Sequence, residues 1–145
     1  MTSGYSNKIL RVDLSEKTAD TEEIDDEVWE KVLGGVGFGA YTLLKEVPTE
    51  ADPLGPENKL IFATGPIQST TFPGAAKWCV ISKSPMNGLY GEAAAAAKWG
   101  VALKSLGYDA LVIEGEAKKP VYLELTGEDV EFKEADDIWG LDSYE

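Results

Sequence analysis

The chain has 145 residues, 43% of them hydrophobic, with 26 acids against 13 bases, a formal charge of −13, one cysteine and no histidine. That length suits a single domain burying roughly two-thirds of its unfolded surface, and the acid excess argues against a nucleic-acid binder, which needs lysine and arginine to displace phosphate counterions. One thiol and no imidazole exclude an intrachain disulfide, and also a four-ligand zinc or iron–sulfur centre built from this chain alone.

No run approaches the ~20 apolar residues of a membrane span, and the opening "MTSGYSNKIL" lacks a basic region followed by an apolar stretch, so the expected location is cytoplasmic. "KILRVDLSEKTADTEEI" alternates on either side of Ser15-Glu16-Lys17 and predicts a β-hairpin ending near Ile24. Asp25 or Asp26 then caps a short helix, with Val28, Val32 and Leu33 near one face and Gly34-Gly35 as the stop. A second helix is expected from Gly37 to Glu46, followed by a proline-rich loop through Pro48, Pro53 and Pro56. "LIFATG" and "WCVISK" read as buried strands joined by a long loop, Gly65 to Ala76. The alanine run before Lys98 reads as the small-residue start of a helix whose Trp99, Leu103 and Leu106 share a face, because alanine is the best helix former. "ALVIEG", "VYLEL" and "VEFKE" complete a strand-dominated α+β pattern with no linker to divide it.

Charge is unevenly spread. Asp13 to Glu30 holds nine acids against Lys17, and Glu124 to Glu145 nine against Lys133. Between them, Lys59 to Tyr108 contains Lys59, Lys77, Lys83, Lys98 and Lys104 with only Glu92. Two accounts of this strip stand: scattered lysines over core, or a site facing an anion.

"GGVGFGAY", residues 34–41, invites a nucleotide-loop reading and fails it. A dinucleotide fingerprint follows a strand, spaces its glycines G-x-G-x-x-G and has an acid about 20 residues on; here the glycines follow a helix, and no GK[ST] exists for a P-loop. They read instead as a turn between packed helices, or as a close approach to a cofactor other than a nucleotide.

In the same order and spacing, "GGVGFGAYTLLKEV", "DPLGPENKLIFATGPIQST", "VISKSP", "WGVALKSLGYDALVIEGEAKKPVYLEL" and "IWG" resemble the N-terminal domain of the tungsten-containing aldehyde ferredoxin oxidoreductases, from about Lys8 to Gly140. The resemblance implies one domain of two packed β-sheets with a few short helices, forming a floor beneath a tungsten bis-pyranopterin. It also implies a parent enzyme that oxidises aldehydes to carboxylic acids, with a [4Fe-4S] cluster held by downstream domains or a separate subunit and ferredoxin as electron acceptor. The 145 residues alone are then expected to be inert, to retain no cofactor and to bind no membrane or nucleic acid. Ala75-Ala76-Lys77 stands where the family has Gly-Gly-Arg reaching the pterin phosphates, so Lys77 keeps the charge without the planar fork. Ala94 to Ala97 stands where the family has an Asn-Ser-Gly-Gly-like segment, and the Ala94 backbone carbonyl is the implied magnesium ligand. The implied cofactor-binding residues are therefore Ala76, Lys77, Trp78, Ala94, Ala95 and Ala96.

Without the resemblance, Trp78 and Trp99 read as core or interface, Cys79 as buried and inert, Lys83-Ser84-Pro85 as a strand end and turn, and Gly107-Tyr108-Asp109 as a helix stop. Two other functions are kept open: a cofactor-free assembly module of this fold, with a ring-reducing acyl-CoA enzyme as a close variant of the first reading, and an unrelated ligand-binding α+β domain. An apolar face cut free of its neighbours also raises the expectation of a homodimer, which the negative charge opposes.

Overall fold

A computed structural model describes residues 4–127 and 129–142; residues 1–3, Glu128 and the last three residues of the C-terminal acidic run lie outside the described part. The elements run β1 (Lys8–Asp13), β2 (Thr18–Glu23), α1 (Asp26–Val32), α2 (Gly35–Glu46), β3 (Leu60–Thr64), β4 (Lys77–Lys83), β5 (Tyr90–Ala96), α3 (Lys98–Ser105), β6 (Ala110–Glu114), β7 (Val121–Thr126) and β8 (Asp129–Glu134). Six strands form one sheet in the order β2-β1-β6-β3-β4-β5, and β7 pairs with β8 in a second. Only β1–β6 is parallel; the other pairings are antiparallel.

Alternation along each central strand feeds two cores. Ile9, Ile61, Ala63, Cys79, Ile81, Ala110 and Val112 face α1 and α2, where Trp29 and Phe38 close the layer. Leu10, Val12 and Leu111 face the other way, onto Leu103 of α3 and onto Leu123, Leu125, Val130 and Phe132 of the β7–β8 hairpin. The two expected sheets therefore pack face to face, with α3 beside the smaller one. Each large apolar side chain so buried contributes about 1.5–3 kcal/mol, which lets two-residue periodicity outweigh local preference.

The first hairpin, the two glycine-linked helices and the strands stand where the sequence predicts them. Three details differ. In α1 the buried residue is Trp29, stacked between Tyr5 (5.2 Å between ring centres) and Phe38 (4.8 Å), whereas Leu33 is an exposed left-handed C-cap. Helix α2 begins at Gly35, two residues earlier than expected, with Gly34 as its N-cap at φ 78°. A Cβ added to Gly39 would lie 2.5 Å from Ile81 Cδ1, so the glycine-rich stretch serves close seating of α2 on β4.

The third difference decides the site. The alanine run is not a helix start: Tyr90–Ala96 is a strand at the sheet edge, and α3 begins only at Lys98. Helix propensity separates alanine from ordinary residues by at most ~0.7 kcal/mol per residue, whereas each ladder hydrogen bond contributes about 0.5–1.5 kcal/mol. Pairing with β4 along seven residues wins.

Candidate functional site

The β4–β5 ladder brings together the two stretches that the sequence singles out. Lys77 stands opposite Ala96, Trp78 opposite Ala95 and Cys79 opposite Ala94, and facing Cα atoms in such a pair lie ~4.5–5.5 Å apart. Ala76 immediately precedes β4, and its carbonyl accepts from the Ala97 amide at 3.1 Å. Ala76, Lys77, Trp78, Ala94, Ala95 and Ala96 thus occupy one end of one two-stranded strip. β5 is the outermost strand of its sheet, and Ala93–Ala97 are all exposed.

At the end of the strip the backbone is strained. Ala97 has φ 101° and ψ −167°, a region that essentially only glycine occupies, and it turns the chain from β5 into α3. Beneath it, Trp78 and Trp99 lie 4.6 Å apart between ring centres, with Phe62 at 6.0 and 5.0 Å. The reading of both tryptophans as packing residues agrees with this cluster, although Trp99 keeps 39% of its surface exposed. The Trp78 indole nitrogen is buried without a hydrogen-bond partner.

The five mid-chain lysines divide sharply. Lys59 pairs with Glu114 and Glu46, the buried Lys83 donates to the carbonyls of Thr49 (2.5 Å) and Ala51 (2.7 Å), and Lys104 pairs with the buried Asp109. Only Lys77 and Lys98 of the five are exposed without an ion-pair partner among the described residues, and both border the alanine strip. The unused positive charge of the middle third is therefore concentrated beside it. Cys79 lies on β4 with its side chain in the core, and burial, followed by the charge of Glu92, pushes its thiol up to about 11. Its burial agrees with the sequence reading, and a thiol held in its protonated form is a poor nucleophile.

Two residues here escaped sequence reading. Gln68, from the long loop, is buried against β4 and α3, and nothing in an irregular loop marks it in advance. Asp109 of "GYD" does follow a helix stop at Gly107, but its carboxylate also accepts from the amides of Ser6 (2.9 Å) and Asn7 (2.8 Å) and pairs with Lys104. It anchors the N-terminal segment. An apolar groove of about 410 Å³ lies elsewhere, between α2 and the β4–β5 turn, and the Lys83 and Tyr90 side chains in its lining already donate to Thr49, Ala51 and Glu92.

The family model for the N-terminal domain of aldehyde ferredoxin oxidoreductase matches residues 9–145. The chain belongs to that family. It is 46% identical over 137 residues to a tungsten-containing aldehyde ferredoxin oxidoreductase of Pyrococcus horikoshii, covering 94% of this chain and 23% of that protein. It is also 39% identical over 145 residues to an aliphatic sulfonate oxidoreductase, WOR-like subunit, of Pyrococcus furiosus, covering 97% and 23% respectively. Among solved structures it resembles the active site complex BamBC of benzoyl coenzyme A reductase with a TM-score of 0.91 and 32% identity, over 94% of this chain and 21% of the other. The chain thus spans about a quarter of the length of the curated relatives it matches. It corresponds to the N-terminal domain of that family.

The tungsten-containing relatives imply a tungsten pterin, and the strip suits such a group. Alanine side chains admit a planar ring close to the main chain, Lys77 and Lys98 offer unpaired cations, and the Trp78 N–H is a buried donor without an acceptor. Among the described residues no group of three or more His, Cys, Asp or Glu side chains could hold a metal. No described helix is long and apolar enough to cross a membrane.

Proposed function

We propose that the β4–β5 strip is the part of a tungsten bis-pyranopterin cradle that this domain contributes to a larger oxidoreductase acting on aldehydes, with ferredoxin as electron acceptor. The observation that carries the reading is the ladder register: Lys77 stands across from Ala96, at the end of the sheet where Lys98 also lies unpaired. When bound, the group would accept two electrons from the substrate and pass them on singly. The roles of this chain are narrower. Lys77 and Lys98 bind and orient phosphate as point charges, Ala94–Ala96 set the approach distance of the ring, and Trp78 and Trp99 exclude water beneath it. A magnesium ion accompanying the group would be held by main-chain carbonyl oxygen, that of Ala94 first. The [4Fe-4S] cluster and the acid–base groups come from downstream domains or another subunit, so the 145 residues alone are catalytically inert.

Full-length protein from tungstate-supplied cells should contain tungsten and phosphorylated pterin near stoichiometry, and Lys77→Glu should lower both several-fold without unfolding the domain. A folded wild-type protein free of metal and pterin would replace this reading with a cofactor-free assembly module. The likeness to the benzoyl coenzyme A reductase complex favours one second reading, a domain of an acyl-CoA reductase, and activity with acyl-CoA instead of aldehyde would select it.

A further inference from the structure

Gln68 is 3% exposed, inside a loop otherwise largely open to solvent. In the orientation that satisfies its neighbours, its amide nitrogen donates to the carbonyls of Ala75 (2.7 Å) and Lys77 (2.6 Å), while its oxygen accepts from the Val101 amide (3.2 Å). One side chain thus bonds to both the entrance of β4 and the first turn of α3. Around it the fit is close. A Cβ on Gly100 would lie 2.9 Å from Trp78 Cβ and 3.0 Å from the Gln68 amide, and the neighbouring Ser69 hydroxyl donates to the Val101 carbonyl at 3.1 Å.

The chemistry of the group is specific. An uncharged amide supplies two N–H donors and an acceptor on one rigid plane. Glutamate would set a carboxylate against two carbonyl oxygens, and leucine would strand both carbonyls and the Val101 amide. From these bonds we infer that Gln68 is the positioning residue of the candidate site: it fixes the main chain of Lys77 relative to the first turn of α3, and so the separation of Lys77 from Lys98. The inference rests on the proposed cofactor reading for its functional meaning, but its structural content stands apart from it.

Two measurements test it. In the 145-residue chain, Gln68→Leu should lower hydrogen-exchange protection of the Val101 amide at least tenfold and alter the near-ultraviolet circular dichroism of the Trp78–Trp99 pair. Protection at Leu10 and Val112 should stay within about twofold of wild type. Gln68→Glu should behave likewise at pH 7.5 and regain part of the dichroism at pH 5.5, where a protonated carboxyl can again donate and accept. Protection at Val101 that is unchanged, or that falls only as much as at Leu10 and Val112, would overturn the assignment. In the full-length protein, Gln68→Leu should release tungsten at least tenfold faster than Ile81→Val, a core variant far from the amide; equal release would also overturn it. Wild-type protein without tungsten would defeat the cofactor reading alone, and the exchange measurement would still decide Gln68.

Discussion

Lys77 and Ala96 face one another at the open end of the β4–β5 ladder, and one residue beyond each, the Ala76 carbonyl accepts the Ala97 amide. That relationship brings an unpaired ammonium, a strip of methyl groups and a strained turn into one place. The ladder therefore ends where the backbone conformation suits glycine and the residue present is alanine.

Ala97→Gly should stabilise the domain. Relief of a strained conformation contributes about 1–3 kcal/mol, offset by ~0.4–1 kcal/mol of extra unfolded-state entropy. The net gain should be about 1 kcal/mol in urea unfolding, with Ala97→Val displaced in the opposite direction. A neutral or destabilising glycine would show that Ala97 carries no strain.

Gly39→Ala should destabilise by about 1–3 kcal/mol, because the added methyl meets Ile81 at Cδ1 (2.5 Å), Cγ1 (2.6 Å) and Cβ (2.9 Å). Adding Ile81→Val removes the nearest atom. The double variant should recover part of the loss, which a double-mutant cycle by thermal or urea unfolding measures directly.

Asp109→Ala should cost about 3–5 kcal/mol, because it leaves the Lys104 ammonium buried without its partner. The amides of Ser6 and Asn7 lose their acceptor together with it. Asp109→Asn keeps an acceptor without the charge and should fall between wild type and alanine. Chemical denaturation reads the order, and equal stability of all three would refute the anchor.

Cys79 should resist thiol reagents in the folded chain. With its thiol near 11, about one part in a thousand is thiolate at pH 8. A folded-state value raised above the unfolded one keeps the proton on longer in the native state, so below about pH 9 the group leaves stability unchanged, and from there to 11 stability falls as pH rises. Labelling should accelerate by orders of magnitude in denaturant. Fast labelling of native protein at pH 8 would contradict the buried placement.

Much of this architecture was legible because strand and helix periodicities are short-range. The hairpin around Ser15–Lys17, the break at Gly34 and the strands of "LIFAT" and "KWCVISK" follow from alternation and punctuation within a few residues. The alanine run was not legible in the same way, since alanine has no side chain with which to declare a face. Helix propensity alone points the wrong way, and the unpaired edge of β4, more than ten residues distant in sequence, decides. Trp29 likewise turns inward because Tyr5 and Phe38 supply rings on both sides. Gln68 was invisible because its partners, Ala75, Lys77 and Val101, offer main-chain groups, which any residue type carries.

The sequence by itself determined the α+β class, the family of the domain and the lack of imidazole and of a second thiol as metal ligands, since each depends on residue identity and near-neighbour order. The tertiary structure alone decided which two of five lysines remain unpaired, that the alanines form an edge strand, and that a buried amide ties the two stretches together. Those outcomes depend on long-range pairing and on which charges lose water, and neither is written in any single segment.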